Sequence, residues 1–163
     1  MSILFSNTKY KNDQINKSVQ HILESVELCS IATISENGTS HINTAFFCFT
    51  ENLEIIFLSH PHSEHCQNIM QNSSVAVNVF DTKQKWGGDL LGLQIFGTCE
   101  PVQSGKKDWA FQVYCKRFPS YLKVFASSLI GYKFYIINPA YLKITDEISF
   151  HDEEYVKVYV TKK

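Results

Sequence analysis

Between Cys29 and Ser59 the chain carries three runs of β-type residues whose connections are too short to hold anything but a turn. The run at 29–35 is followed by Glu36-Asn37-Gly38, and Asn-Gly tolerates the positive φ of a tight hairpin. The run at 40–49, rich in Phe46, Phe47 and Phe49, ends at Glu51-Asn52, and a third run fills 53–59. Strands joined this closely lie antiparallel, because a parallel crossover needs about a dozen residues or more. The spacing therefore predicts a β-meander and excludes a doubly wound sheet.

The flanking segments add helices and further strands. Ile15, Val19, Ile22, Leu23 and Val26 recur at helical spacing and predict a helix over 15–28. His60-Pro61 stops the third strand, since proline cannot donate to a ladder. Ser63 then reads as the N-cap of a short helix over about 64–71. A fourth strand is expected at 75–80, a polar loop at 81–89 and a long fifth strand at 90–102. Within that fifth strand Gly92 and Gly97 mark bulges or close backbone approaches. Ser104 reads as the cap of a helix through about 117, with a second short helix at 119–126. Two last strands, 132–138 and 141–145, are separated by a turn at Pro139. The sum is a mainly β (α+β) chain: a six- or seven-stranded antiparallel barrel with peripheral short helices.

A chain of 163 residues suits a single domain spanning 1–163, with its core in about 17–150. At this size folding buries roughly 68–70% of the unfolded surface, so no metal or disulfide staple is needed. Lys+Arg 15 against Asp+Glu 16 leaves a net charge of -1, which offers no basic field to a nucleic acid. Lys106-Lys107 and Lys162-Lys163 read as solvated surface. Cys29, Cys48, Cys66, Cys99 and Cys115 are odd in number, contain no C-x-x-C pair and mostly lie in apolar runs. Reduced buried thiols are expected, not a disulfide framework or a zinc site. Residues 1–16 lack the apolar core of a signal peptide, and no apolar run approaches ~20 residues. No membrane partner is expected, and the expected location is cytoplasmic.

The order of pieces carries a family resemblance. A helix, Ile31-Ala32-Thr33-Ile34, Asn37-Gly38, a Phe-rich strand and Ile56-Phe57-Leu58-Ser59 resemble the flavin-binding split barrels of the pyridoxamine 5'-phosphate oxidase-like kind. Ser63-Glu64-His65 stands where that family has a Ser-x-Lys segment, and Gly92 to Gly97 is similar to its strand with a glutamine between two glycines. Thr44-Ala45-Phe46-Phe47, His65-Cys66-Gln67 and the segment Tyr114-Cys115-Lys116-Arg117-Phe118-Pro119 resemble its uncharacterised YhbP-type branch.

The resemblance implies FMN as cofactor, a homodimer, and a set of site residues. Ser63 and His65 would meet the phosphate, while Asn43, Thr44, Ala45 and Phe46 line the ring with Leu58 and Ser59 beside them. Ser63 has the alternative reading of a plain cap, and Phe46 and Leu58 read equally as barrel core. Gln94 is a polar residue within an apolar strand that the family aims at the flavin held mainly by the other subunit. Trp86, in the preceding loop, either covers the ring or packs at the surface or dimer contact. Glu64 stands where arginine is common and His65 where lysine is common, and both changes weaken the hold on a phosphate.

His60, His62 and His65 form an H-x-H-x-x-H cluster, but Pro61 breaks its geometry and no carboxylate or cysteine pattern completes a metal site. No catalytic residue is assigned, because a flavoenzyme leaves the electron chemistry to its cofactor. The C-terminal region offers only Lys157, Lys162 and Lys163, so pyridoxamine-phosphate oxidation itself is not expected. Three functions stay open: an FMN-dependent oxidoreductase of unknown substrate, a non-catalytic module for flavin, haem or another small ligand, and a structural homodimer with an empty pocket.

Overall fold

The structure, a computed structural model, describes residues 4–6, 9–121, 131–151 and 153–161. In chain order the elements are β1 (Leu4–Ser6), α1 (Asn12–Ser25), β2 (Leu28–Ile34), β3 (Ser40–Phe49), β4 (Ile55–Ser59), α2 (Glu64–Gln71), β5 (Ser74–Phe80), β6 (Leu91–Pro101), α3 (Lys107–Arg117), β7 (Lys133–Asp146) and β8 (Val156–Thr161). Six strands close an antiparallel barrel in the order β7-β4-β3-β2-β5-β6, with β6 returning to β7. β8 and then β1 extend the sheet from the far half of β7.

The meander forms where the turn chemistry puts it. Gly38 takes φ 82 in the first hairpin, and its N–H donates to the Ser35 carbonyl at 2.9 Å. The second turn is built differently from expectation: Leu53 belongs to it, at φ 61, with its N–H on the Thr50 carbonyl. The Leu53 side chain is nevertheless buried, so packing in the core holds a non-glycine residue in the left-handed region.

Burial explains the runs that do not alternate. Phe47, Ile55, Phe57, Tyr135 and Ile137 point into the barrel, and Ile15, Val19, Ile22 and Leu23 of α1 join the same core. Cys48, Ile56 and Ile136 face the other way and pack under Ala110, Tyr114 and Cys115 of α3. Strands β3, β4 and β7 are thus covered on both faces there, which is why Ile55-Ile56-Phe57 is continuously apolar. All five cysteines are buried and reduced.

Three expectations are corrected. The helix over 15–28 starts and stops earlier, at Asn12–Ser25, because Val26 is already extended and β2 begins at Leu28. The turn at Pro139 does not exist: 133–146 is one strand, and Pro139 sits opposite Gly97 where the β6–β7 register shifts. Ser104 opens a single 3-10 turn, Ser104–Lys106, without a side-chain cap bond, and α3 follows it. The short helix expected at 119–126 lies largely outside the described residues. Strands β1 and β8 were not anticipated.

Candidate functional site

The meander and the two helices beside it enclose one cleft of about 500 Å³, lined by Asn43, Thr44, Ala45 and Phe46 of β3, Leu58 and Ser59 of β4, His65 of α2, and three tyrosines, Tyr114, Tyr121 and Tyr132. Seven of the ten residues singled out from sequence meet here. Phe46 is not barrel core: alternation sends Phe47 inward and leaves Phe46 half exposed on the outer face, its ring edge-on to Phe118 at 5.8 Å. Leu58 is half buried against the α3 cluster.

Ser63 holds the N-cap position of α2, as expected, but its hydroxyl turns toward the cleft instead of bonding the helix. Its Oγ donates to the His60 carbonyl at 2.8 Å and lies 3.1 Å from His65 Nε2 and 3.2 Å from Ser59 Oγ. Ser59 Oγ and His65 Nε2 are 2.7 Å apart. The turn at His60-Pro61-His62 brings that carbonyl within reach and captures the hydroxyl that sequence assigned to the helix. No side-chain cap bond is made to α2.

Gln94 and Trp86 lie elsewhere on the chain. Gln94 is exposed in the middle of β6, opposite Asn78 and Lys143, with β2 and β5 between it and β3. Trp86 is fully exposed in the loop before β6. His60 and His62 have their rings 5.3 Å apart, while His65 turns to the serines. Among the described residues no group of three His, Cys, Asp or Glu side chains is placed to hold a metal ion.

The tyrosines were missed because helix α3 and the segments around it reach the cleft only by tertiary packing; the sole hint was the aromatic Tyr114-to-Pro119 motif. Burial pushes the Tyr121 phenol up to about 12 and Tyr114 higher still, so both stay protonated. Beneath the cleft sits Cys66, fully buried in the first turn of α2. Burial alone would raise its thiol, but the neighbouring His65, Ser63, Tyr135 and Ser59 side chains outweigh that and lower it to about 7. Absorbance at 240 nm should therefore rise through a thiolate step near that pH, and Cys66→Ser should abolish it. A wild type without the step would show that burial prevails.

The residues present fit one part of a flavin well. A planar tricycle needs aromatic walls and a few polar partners, and the Asn43 Oδ1 is buried without a hydrogen-bond partner. The phosphate end fits less well, since among the described residues no lysine or arginine lines the cleft.

The comparisons agree with the fold. Two UPF0306 proteins of Campylobacter jejuni are 28% identical over 133 residues, covering 81% of this chain and 90% of theirs. A Clostridium acetobutylicum protein of the pyridoxinephosphate oxidase family, related to general stress protein 26, shares the fold with TM-score 0.67 at 12% identity, covering 91% of this chain and 96% of its own. So do the Vibrio cholerae haem storage protein HutZ (TM-score 0.63, 16% identity, 76% and 88%) and an F420 reductase (TM-score 0.60, 18% identity, 76% and 94%). Longer proteins share it too: the chain spans 57% of an Agrobacterium tumefaciens protein, with 83% of its own length, TM-score 0.69 and 15% identity. No helix among the described residues is long and apolar enough to cross a membrane. The pattern of the pyridoxamine 5'-phosphate oxidase family matches residues 15–145, most of the barrel and the whole cleft-bearing meander, and the chain belongs to that family.

Proposed function

We propose that the cleft binds a flavin and that the protein is a homodimeric, flavin-dependent oxidoreductase, with FMN the form that the family resemblance implies. The observation that carries the reading is an aromatic-walled cleft whose lining includes Asn43, with its Oδ1 unmet. A bound flavin supplies the electron chemistry. The chain's own part is to hold the ring against Phe46, Leu58 and the tyrosines, to accept a hydrogen bond at Asn43, and to keep water out.

The dimer is supported by the surface beside the cleft. Leu28 and Phe46 are opposite one another on β2 and β3, Ile42 is two rows away, and all three are exposed. Apolar surface of this kind beside a ligand site suits a second copy, which would bring its own Gln94 and Trp86 to the ring. The fold of HutZ, a haem storage protein, favours one second reading, a haem in the same cleft.

The test is a titration of the purified protein with flavins and, separately, with hemin, alongside light scattering. Quenching of flavin fluorescence, weakened about tenfold by Phe46→Ala through lost stacking, is the expected result. A Soret shift with hemin and no quenching by any flavin would move the cleft to haem. A monomer at micromolar concentration would remove Gln94 and Trp86 from the site.

A further inference from the structure

The polar end of the cleft is arranged for a neutral group. A flavin phosphate carries about -1.5 to -2 charges and presents acceptors only. Its binding needs fixed cations or donors that are free to turn. Among the described residues the cleft lining contains neither Lys nor Arg. Lys133, opposite Ser59 in the β4–β7 ladder, is exposed and is not part of the lining.

The donors beside the start of α2 are already engaged: Ser59, Ser63 and His65 lie within hydrogen-bond distance of one another. The Ser63 hydroxyl is directed to the His60 carbonyl, and Ser59 and His65 are paired at 2.7 Å. The first-turn amides of α2 are the one feature that favours an anion, worth about +0.5 of a charge. A carboxylate already occupies that turn: Glu64, bridged to His41 Nδ1 at 3.3 Å. That carboxylate, paired with the His41 ring at the edge of the cleft, offsets part of the helix terminus before any ligand arrives.

A polyol tail meets the same groups without conflict, because each of its hydroxyls both donates and accepts. It can join a chain of serine hydroxyls and an imidazole as they stand. The buried Asn43 Oδ1 asks for a donor, which a flavin's imide N–H or a polyol hydroxyl supplies and a phosphate dianion does not.

Resting on the flavin reading above, we infer that this cleft selects a flavin with an uncharged tail, the riboflavin form, over its phosphorylated counterpart. The pocket recognises the tricycle and the polyol, and it gains nothing from the phosphate.

The experiment is a parallel titration of the purified wild-type protein with riboflavin and with FMN, followed by flavin fluorescence at two salt concentrations. Riboflavin should bind at least as tightly as FMN, and neither affinity should depend on salt. Glu64→Lys, an exposed substitution, should tighten FMN by about three- to tenfold while leaving riboflavin within about twofold. That outcome locates the discrimination at the first turn of α2. FMN binding more tightly than riboflavin to the wild type, with an affinity that falls as salt rises, overturns the inference and leaves the flavin reading standing. Failure of both flavins to bind overturns the two together. A Glu64→Lys protein that tightens both flavins equally would show that the charge does not act on the tail, and would also overturn the selectivity argument.

Discussion

Replacing Gly97 by alanine should destabilise the protein by about 3 kcal/mol or more, lowering the melting temperature by about 10 °C. A Cβ on Gly97 would stand 2.1 Å from the Asn138 carbonyl oxygen, 2.9 Å from its carbon and 3.0 Å from the Pro139 Cα. All three atoms are backbone, so no side chain can turn aside, and β6 or β7 itself must move. This is the place where the β6–β7 ladder shifts register while closing the barrel. Gly92 on the same strand is the control. Its added Cβ would meet Val79 O at 3.6 Å and Phe80 Cβ at 3.8 Å, ordinary contacts, so Gly92→Ala should change stability by less than about 1 kcal/mol. Urea unfolding of the two variants decides the matter; equal losses would mean that the close approach at Gly97 costs little to relieve.

The second large effect is expected at Arg117. Its guanidinium donates to the Leu23 carbonyl at 2.7 Å and to the Val26 carbonyl, closing the C-terminal end of α1. The same group lies 4.7 Å from the Phe47 ring centre and 5.1 Å from that of Phe49. Arg117→Met would leave the two carbonyls without this partner and remove the cation–π contacts, costing about 2–4 kcal/mol. Arg117→Lys should recover little, because an ammonium cannot bond in a flat fork and stack at once. Lys116→Met, on an exposed neighbour, should stay within about 0.5 kcal/mol. Thermal melts of the three variants, with hydrogen exchange at the end of α1, test this; a lysine that restored full stability would reduce Arg117 to a simple charge.

These two residues also show what could be read in advance. Gly97 was legible as a close-approach point, because a glycine inside an apolar strand needs a reason. Its partner was misread: Pro139 looks like a terminator, yet the register shift accommodates it within one strand. The alternation Val156, Val158, Val160 against Lys157 and Tyr159 announced β8, and a polar stretch before it hid the signal. Three residues at β1 are too few to carry a pattern. For the site, local turn chemistry and the family resemblance placed β3, β4 and α2 together. They could not place Tyr114, on α3 more than 40 residues past α2, or Tyr121 just beyond that helix, nor show that the His60 carbonyl captures the Ser63 hydroxyl.

The barrel is completed by one late strand. β7 pairs with β4 through residues 133–137 and with β6 along its length, so both seams close through it. During synthesis the edge of β4 has no barrel partner until residue 137 has left the ribosome, and that of β6 is not fully paired until residue 146 has. From the end of β6 at Pro101 that is roughly 2 to 9 s at about 5–20 residues per second. Over that interval the nascent chain presents open strand edges, and the cysteines that later pack against β7 remain within reach of oxidants. The vulnerable moment of this fold therefore comes before it is finished, and its yield in a cell should depend on chaperones and translation rate more than the equilibrium stability of the barrel suggests.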